Sequence, residues 1–396
     1  MKITDVSVHL VSYKLPVVWT NGMGTTTKKD EVLVFVHTDE GITGIGVSYH
    51  GYAAKTVEAL IQNDLKPLVV GADPLDIQAL WERMFAVTVH LGSAAVLAMS
   101  GIDTALWDIL GKVSNQPLYK LLGGGGTAKV PAYVGCMTLG VQDIDLLVDE
   151  AVKWTDQGFR SLKLRGGAGL ERDVAAVKAV REAVGSGVDI SIDINARYSW
   201  PEAVRICRRL EPYDVYWVED PFDYTIAWHQ ADLAKLAKLD LTPIASGGNI
   251  FTAMGFRNLL ELGGVHYIQP DVVKCGGITP AIQIAHMASA QNIQVAPHTL
   301  AGLGQMANLH FSAAIPANVR NYLEWEPTTP NPMRETMLTN PIKVENGDLL
   351  LPDGPGLGTD LDMDVVAELS FIEGLPSRSS ARGRQLYAAP ISAAAQ

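Results

Sequence analysis

Ile190-Ser191-Ile192-Asp193-Ile194-Asn195, followed by Val218-Glu219-Asp220-Pro221, places a carboxylate at the end of each of two apolar runs. Alternation along an extended strand sends Asp193 and Asn195 to one face and the isoleucines to the other. Short apolar runs recur at roughly 25–30-residue spacing, the length of one strand, one helix and their loops. The candidate strands are 133–137, 161–165, 190–195, 215–220, 243–246, 267–271, 293–298 and 321–326. Helical patterns fill the gaps, as at 170–184 and 201–210, with apolar residues three and four apart. Eight such units predict an α/β fold built on a (β/α)8 barrel, whose catalytic groups sit where strands end.

The chain has 396 residues, 47% hydrophobic and 19% charged, the profile of a globular protein with room for a barrel and a smaller domain. A net charge of -12 without a dense basic run argues against nucleic acid as a partner. Cys136, Cys207 and Cys275 are widely separated and form no C-x-x-C pair, which fits a reducing, cytoplasmic setting. The first residues lack the apolar centre of a signal peptide, and no stretch reads as a bilayer span, so no membrane partner is expected.

Strand patterns at 4–11 and 31–38, a turn-rich edge at 41–46 and then helices through Lys112 read as an α+β domain over residues 1–125. The barrel is expected at 126–341. A strand-turn-strand pattern at 342–351, bending at Glu345-Asn346-Gly347-Asp348, opens a segment 342–370 expected to return to the first domain. Residues 371–396 read as a tail.

Lys163 and Arg165 close the second barrel strand two residues apart and so share a face, where a substrate carboxylate can lie against them. Asp193 and Glu219 are read as two ligands of one divalent ion, and oxygen donors without Cys or His suit Mg²⁺. Asp193 could alternatively cap the helix beginning near Pro201. Asp271 and His298 end the sixth and seventh strands, so neighbouring strands bring a carboxylate to an imidazole and raise its basicity. His286 and His310, within helical patterns, are read as structural. Glu324 and Glu326 end the eighth strand on one face, where they can partner Lys163 and Arg165. Gly302-Leu303-Gly304-Gln305-Met306-Ala307 matches a dinucleotide fingerprint but follows the seventh strand, and is read as the start of a barrel helix. Loops at 21–27 and 47–52 are expected to supply substrate contacts, with Trp19, Tyr49, His50 and the inward-facing Asn195 as candidates.

Ser100-Gly101-Ile102-Asp103-Thr104-Ala105-Leu106-Trp107-Asp108, then Leu121-Leu122-Gly123-Gly124, resembles the first signature of the mandelate racemase/muconate lactonizing enzyme family of the enolase superfamily. Pro352-Asp353-Gly354-Pro355-Gly356-Leu357-Gly358 resembles its closing signature, and the resemblance covers about residues 1–365. It implies a capping α+β domain over a (β/α)7β barrel with an altered last helix, Mg²⁺ as cofactor, and a homo-oligomer. It further implies a Lys or His base working with Mg²⁺ on a proton α to a carboxylate.

Two departures from the family pattern matter. Arg165 stands where racemases carry a second, basic lysine, and a guanidinium stays protonated, so it suits carboxylate binding. Gly248 stands where the family places a metal-binding Glu, leaving Asn249 as a candidate third ligand or as an Asx turn before the next helix. The expected reaction is therefore single-base dehydration of a sugar acid or other hydroxy acid to a 2-keto acid. In it His298 is the base, Asp271 its partner, Lys163 and Arg165 stabilise the enediolate, and Glu324 hydrogen-bonds it. The alternatives are a racemase, epimerase or cycloisomerase with Lys163 on the opposite face, and a non-catalytic relative that binds a sugar acid.

Overall fold

The structure, a computed structural model, describes residues 1–21, 24–49, 53–135, 138–222, 227–375 and 378–380. Eight parallel strands form the barrel: β4 (Lys129–Val134), β5 (Ser161–Arg165), β6 (Asp189–Asp193), β7 (Val218–Glu219), β8 (Ile244–Ser246), β9 (Tyr267–Ile268), β10 (Gln294–Val295) and β11 (Leu323–Trp325). Each pairs with the next from β4 to β10, and β11 pairs with β4. The ring closes through the Val295–Arg320 bridge, with Asn321 N donating to Val295 O at 3.0 Å.

Seven helices follow β4 to β10, ending with Leu303–Ala314, whose N-cap is Gly302, so the fingerprint-like run is a helix start as expected. Among the described residues β11 is followed by the single short turn Pro332–Glu335 and later by Met363–Glu368, so no full-length helix completes the eighth unit, giving the (β/α)7β form. Local chemistry explains the helix boundaries. Trp200–Leu210 begins with a Ser199/Glu202 capping box and Pro201 in the first turn, ends with Arg208 and Arg209, and buries Ala203, Ile206, Cys207 and Leu210. Ser199 rather than Asp193 is thus the cap, which leaves the Asp193 carboxylate to the barrel mouth.

Strand alternation sorts the barrel residues. Leu162, Leu164, Ile190, Ile192 and Val218 belong to the large apolar core, while Lys163, Arg165, Asp193 and Glu219 are brought together by ion pairs and by close approach. Below the charges lies an aromatic layer, with Tyr133 edge-on to Trp217 at 5.4 Å and Tyr216 and Tyr267 packed beside it. This layer fills the barrel and gives the charged residues a dry floor.

The cap is a four-stranded antiparallel sheet of β1 (Ile3–Asn21), β2 (Gly24–Thr38), β3 (Thr43–Ser48) and β14 (Arg378–Ser380). The 41–46 edge is largely strand, and β1 and β2 extend well beyond the alternating runs, forming a long hairpin toward residues 21–24. The 342–351 segment differs from expectation. Its hairpin, β12 (Val344–Glu345) and β13 (Asp348–Leu350), pairs antiparallel with β4 of the barrel and not with the cap sheet. The cap is reached only later: Val11 bridges to Ser370, and Lys28 Nζ donates to Ile372 O at 2.7 Å while lying over the Phe371 ring. The start of the expected tail is then paired to β2 as β14.

The helix Ser93–Ser114 is long and apolar enough to cross a bilayer, contrary to the sequence reading, but 83% of that window is buried between cap and barrel. Gly44 and Gly46 let β3 lie against it, since a Cβ on either would come within 2.1 Å of a helix carbonyl oxygen. The two signatures are joined here: Asp108 accepts from Ile45 N at 3.0 Å and from Leu357 N at 2.8 Å. Gly356 has φ +63°, and a Cβ there would meet Asp108 Oδ1 at 2.1 Å. Gly356→Ala is therefore expected to cost about 2–4 kcal/mol of stability in urea unfolding, from left-handed strain plus overpacking.

Glu31 on β2 fills a tight space under the barrel loops, where a Cβ on Gly302 would lie 2.2 Å from its Oε1. Its Oε2 is buried without a partner beside a cavity of about 20 Å³. Burial pushes this carboxyl from 4.5 up to about 8, against a smaller pull from Lys29. The unfolded chain ionises first, so stability falls by about 1.4 kcal/mol for each pH unit between those two values and is flat above them. Glu31→Gln is expected to melt higher than the parent at pH 8 and at the same temperature near pH 4.

Candidate active site

The barrel mouth holds a chain of buried ion pairs. Lys163 Nζ lies 2.8 Å from both Glu219 Oε1 and Glu324 Oε1, and 3.3 Å from the Tyr133 hydroxyl. Arg165 pairs with Asp193 through Nη1 and lies 3.4 Å from Glu324 Oε1 through Nη2. Glu219 Oε2 accepts from Gln269 Nε2 at 2.7 Å and Trp217 Nε1 at 3.2 Å. Burial acts to discharge Lys163, but Glu219 and Glu324 hold it well above the usual lysine range, so it is an ammonium. Burial likewise opposes ionisation of Glu324, yet Lys163, His298 and Arg165 keep it far below the usual carboxylate range. The protonated carboxyl expected at this position is therefore an anion, because two cations share its Oε1.

Asp193, Glu219 and Asp220 each bring one carboxylate oxygen within 4.8 Å of the others. Asp220 escaped the sequence reading because alternation places it opposite Glu219. Its φ of +41° breaks the strand there, so parity no longer applies, and Ser246 Oγ donates to its Oδ1 at 2.7 Å. In this cluster four carboxylates, Asp193, Glu219, Asp220 and Glu324, gather around Lys163 and Arg165. Buried carboxylates offer the hard oxygen donors that suit a divalent cation such as Mg²⁺. Asn249 Oδ1 instead accepts from Lys274 Nζ at 3.0 Å, and Lys274 lies 4.6 Å from the centre of the Tyr49 ring. Lys274 was not singled out in the sequence, since nothing local marks a lysine three residues past a strand end.

His298 Nδ1 lies 2.8 Å from Asp271 Oδ2, and Asp271 Oδ1 accepts from Asn308 Nδ2 at 2.8 Å and from Val273 N at 3.1 Å. The carboxylate so fixed accepts the hydrogen bond from Nδ1–H and leaves Nε2 as the basic nitrogen. Gly248 lies against this imidazole: a Cβ would come within 3.0 Å of His298 Cδ2. The space that a fifth-strand side chain would need is thus taken by His298.

Asn195 donates through N and Nδ2 to the two oxygens of Asp193, at 2.7 and 2.6 Å, while its Oδ1 is buried without a partner. Trp19, on the β1–β2 hairpin, lies over the Arg165 guanidinium at 5.7 Å, and its Nε1 is also buried and unpartnered. His50 lies outside the described residues. Glu326 is kept from the cluster by Lys29 of β2 and by Asn331, whose Nδ2 is 3.2 Å away. His310 is structural: its Nδ1 accepts from Tyr119 N at 3.1 Å, its Nε2 lies 3.0 Å from Leu357 O, and burial pushes it down to about 4.

Comparison with known proteins agrees over both halves of the chain. Residues 3–123 match the mandelate racemase / muconate lactonizing enzyme N-terminal domain, and 146–365 match the enolase C-terminal domain-like family. An arabinonate dehydratase from Saccharolobus solfataricus is 35% identical over 84% of this chain and 88% of its own length. A D-galactarolactone cycloisomerase from Agrobacterium fabrum is 30% identical over 93% of this chain and 98% of its own. A solved structure of an enolase superfamily member from Polaromonas sp. JS666 superposes with a TM-score of 0.90 at 37% identity, covering 95% of this chain and 99% of that one. With a seven-helix barrel, an antiparallel cap and both domain models matched, this chain belongs to the mandelate racemase/muconate lactonizing enzyme family of the enolase superfamily.

Proposed function

We propose that this chain is a Mg²⁺-dependent hydro-lyase that dehydrates a sugar acid to a 2-keto acid. The observation that carries the reading is one carboxylate-supported imidazole, His298 on Asp271, beside a permanently cationic Lys163–Arg165 pair. One side of the site thus holds a base and the other holds charges that attract a carboxylate. The dehydratase relative named above supports it.

Mg²⁺ would be held by Asp193 and Glu219, with Asp220 as the third carboxylate in place of the absent fifth-strand acid, and would supply Lewis-acid stabilisation of charge on the substrate carboxylate. Lys163 and Arg165 bind and neutralise that carboxylate as electrons move into it. His298 Nε2 removes the α-proton. The same imidazolium then returns a proton to the departing β-hydroxyl, which leaves as water, and the resulting enol tautomerises to the 2-keto acid. Asn195 and Trp19 orient the substrate through their unpartnered polar atoms, and Tyr49 borders it from the cap. The division into a cap of 1–125, a barrel of 126–341 and a returning segment of 342–370, together with homo-oligomeric assembly in the cytoplasm, belongs to the same proposal.

The test is a panel of sugar acids in D₂O with and without Mg²⁺, reading 2-keto acid and α-deuterium together. Mg²⁺-dependent keto acid supports dehydration. Deuterium uptake or ring opening of a lactone without keto acid supports the cycloisomerase reading, which the Agrobacterium fabrum relative favours. Binding without either signal would leave the chain a sugar-acid-binding relative. The metal assignment makes a separate prediction: Asp220→Asn weakens Mg²⁺ binding in calorimetry by tenfold or more, about 1.4 kcal/mol, whereas Asn249→Ala changes it little.

A further inference from the structure

Arg165 occupies the carboxylate that heads the proposed cation cluster. Its Nη1 and Asn195 Nδ2 both bond Asp193 Oδ2, which fills the two lone pairs of that oxygen. A divalent cation that binds Asp193 through this oxygen therefore displaces the guanidinium. Glu324 and the Trp19 ring hold Arg165 on its other sides. A planar guanidinium can turn in its own plane over an indole and keep its stacking, which a lysine ammonium cannot do.

We propose that Arg165 is an exchange residue: a divalent cation takes Asp193 from it, and the guanidinium turns on Trp19 to receive the substrate carboxylate. Each newcomer supplies the charge that the broken pair leaves uncompensated. The cation neutralises Asp193, and the carboxylate neutralises Arg165. Either one alone leaves a buried charge less well compensated, although Arg165 keeps Glu324 and Asp193 keeps Asn195, so the two bind with positive coupling. The inference rests on the Mg²⁺ reading above and adds to it an order of events and a residue that sets it.

Trp19 is a built-in reporter of the turn. Mg²⁺ alone should alter tryptophan emission of the purified protein, and the change should disappear in Trp19→Phe, although seven other tryptophans remain. In calorimetry, saturating oxalate should raise Mg²⁺ affinity by roughly 5–150-fold in the parent protein, the usual range of such coupling. Arg165→Met should show a much smaller gain, because the part carried by the exchange is lost. Arg165→Lys, which keeps the charge, should also lose most of it. An emission change that survives Trp19→Phe, or equal coupling in the parent and both Arg165 variants, overturns the exchange while leaving the metal site standing. Absence of any Mg²⁺ binding to the parent overturns the metal reading and the exchange with it.

Discussion

His298→Asn lowers kcat for sugar-acid dehydration by roughly 10²–10⁴-fold, the range expected when a positioned acid–base group is removed. The loss should fall on kcat more than on KM, because the carboxylate-binding cations and the acidic cluster do not depend on the imidazole. Solvent deuterium should also cease to enter the α-position, since the same nitrogen performs the first transfer. Melting temperature should hardly change, because the ring is part-exposed and its partner Asp271 keeps the Asn308 and Val273 bonds. Retained α-exchange in His298→Asn would assign proton removal to another group. Asp271→Asn should give a smaller loss, because it changes the tautomer rather than removing the base.

Lys163→Met has the other large expected effect, on stability as well as on activity. It leaves Glu219 and Glu324 facing each other in a dry layer with their common counter-ion gone. Breaking a buried pair in this way costs about 3–5 kcal/mol. The loss should be largest in chelator-treated protein. Saturating Mg²⁺ should recover part of it, since added positive charge offsets the lost ammonium. Urea unfolding with EDTA and with Mg²⁺ measures both. An unchanged midpoint in EDTA would mean that the two carboxylates discharge by protonation instead of repelling.

The barrel was legible because its strands are apolar runs that stop at polar residues, a pattern set by a core on one side and a solvent-facing mouth on the other. Asp193 and Glu219 end their strands, Asp271 and His298 lie just beyond theirs, and Lys163 and Glu324 stand within two residues of an end, for that reason. Alternation failed where the backbone leaves the extended region. At Asp220 a positive φ brings two successive carboxylates into one cluster, and the strand-period rule has no way to anticipate it. The 342–351 hairpin was placed with the cap because its pattern shows only that it is a hairpin. Which edge it pairs with depends on the free flank of β4 below its contact with β11. Lys28, Lys29 and Lys274 drew no notice as isolated lysines, yet each is fixed by partners more than 15 residues distant, information no local pattern carries.

The family signatures themselves proved structural: Asp103 accepts from Thr279, and Asp108 ties the helix to β3 and Leu357. They identify the architecture.

The β1–β2 hairpin has a consequence for how the protein is made. The strands carrying Trp19 and Lys29 precede the barrel in the chain, but Ser12 and Lys28 close on Leu369 to Ile372, and β2 gains Arg378–Ser380, all from residues that follow the barrel. The barrel can assemble during synthesis, domain by domain. Its cover is latched only by residues made after the barrel, so a nascent chain holds its charged interior open until that latch has been made.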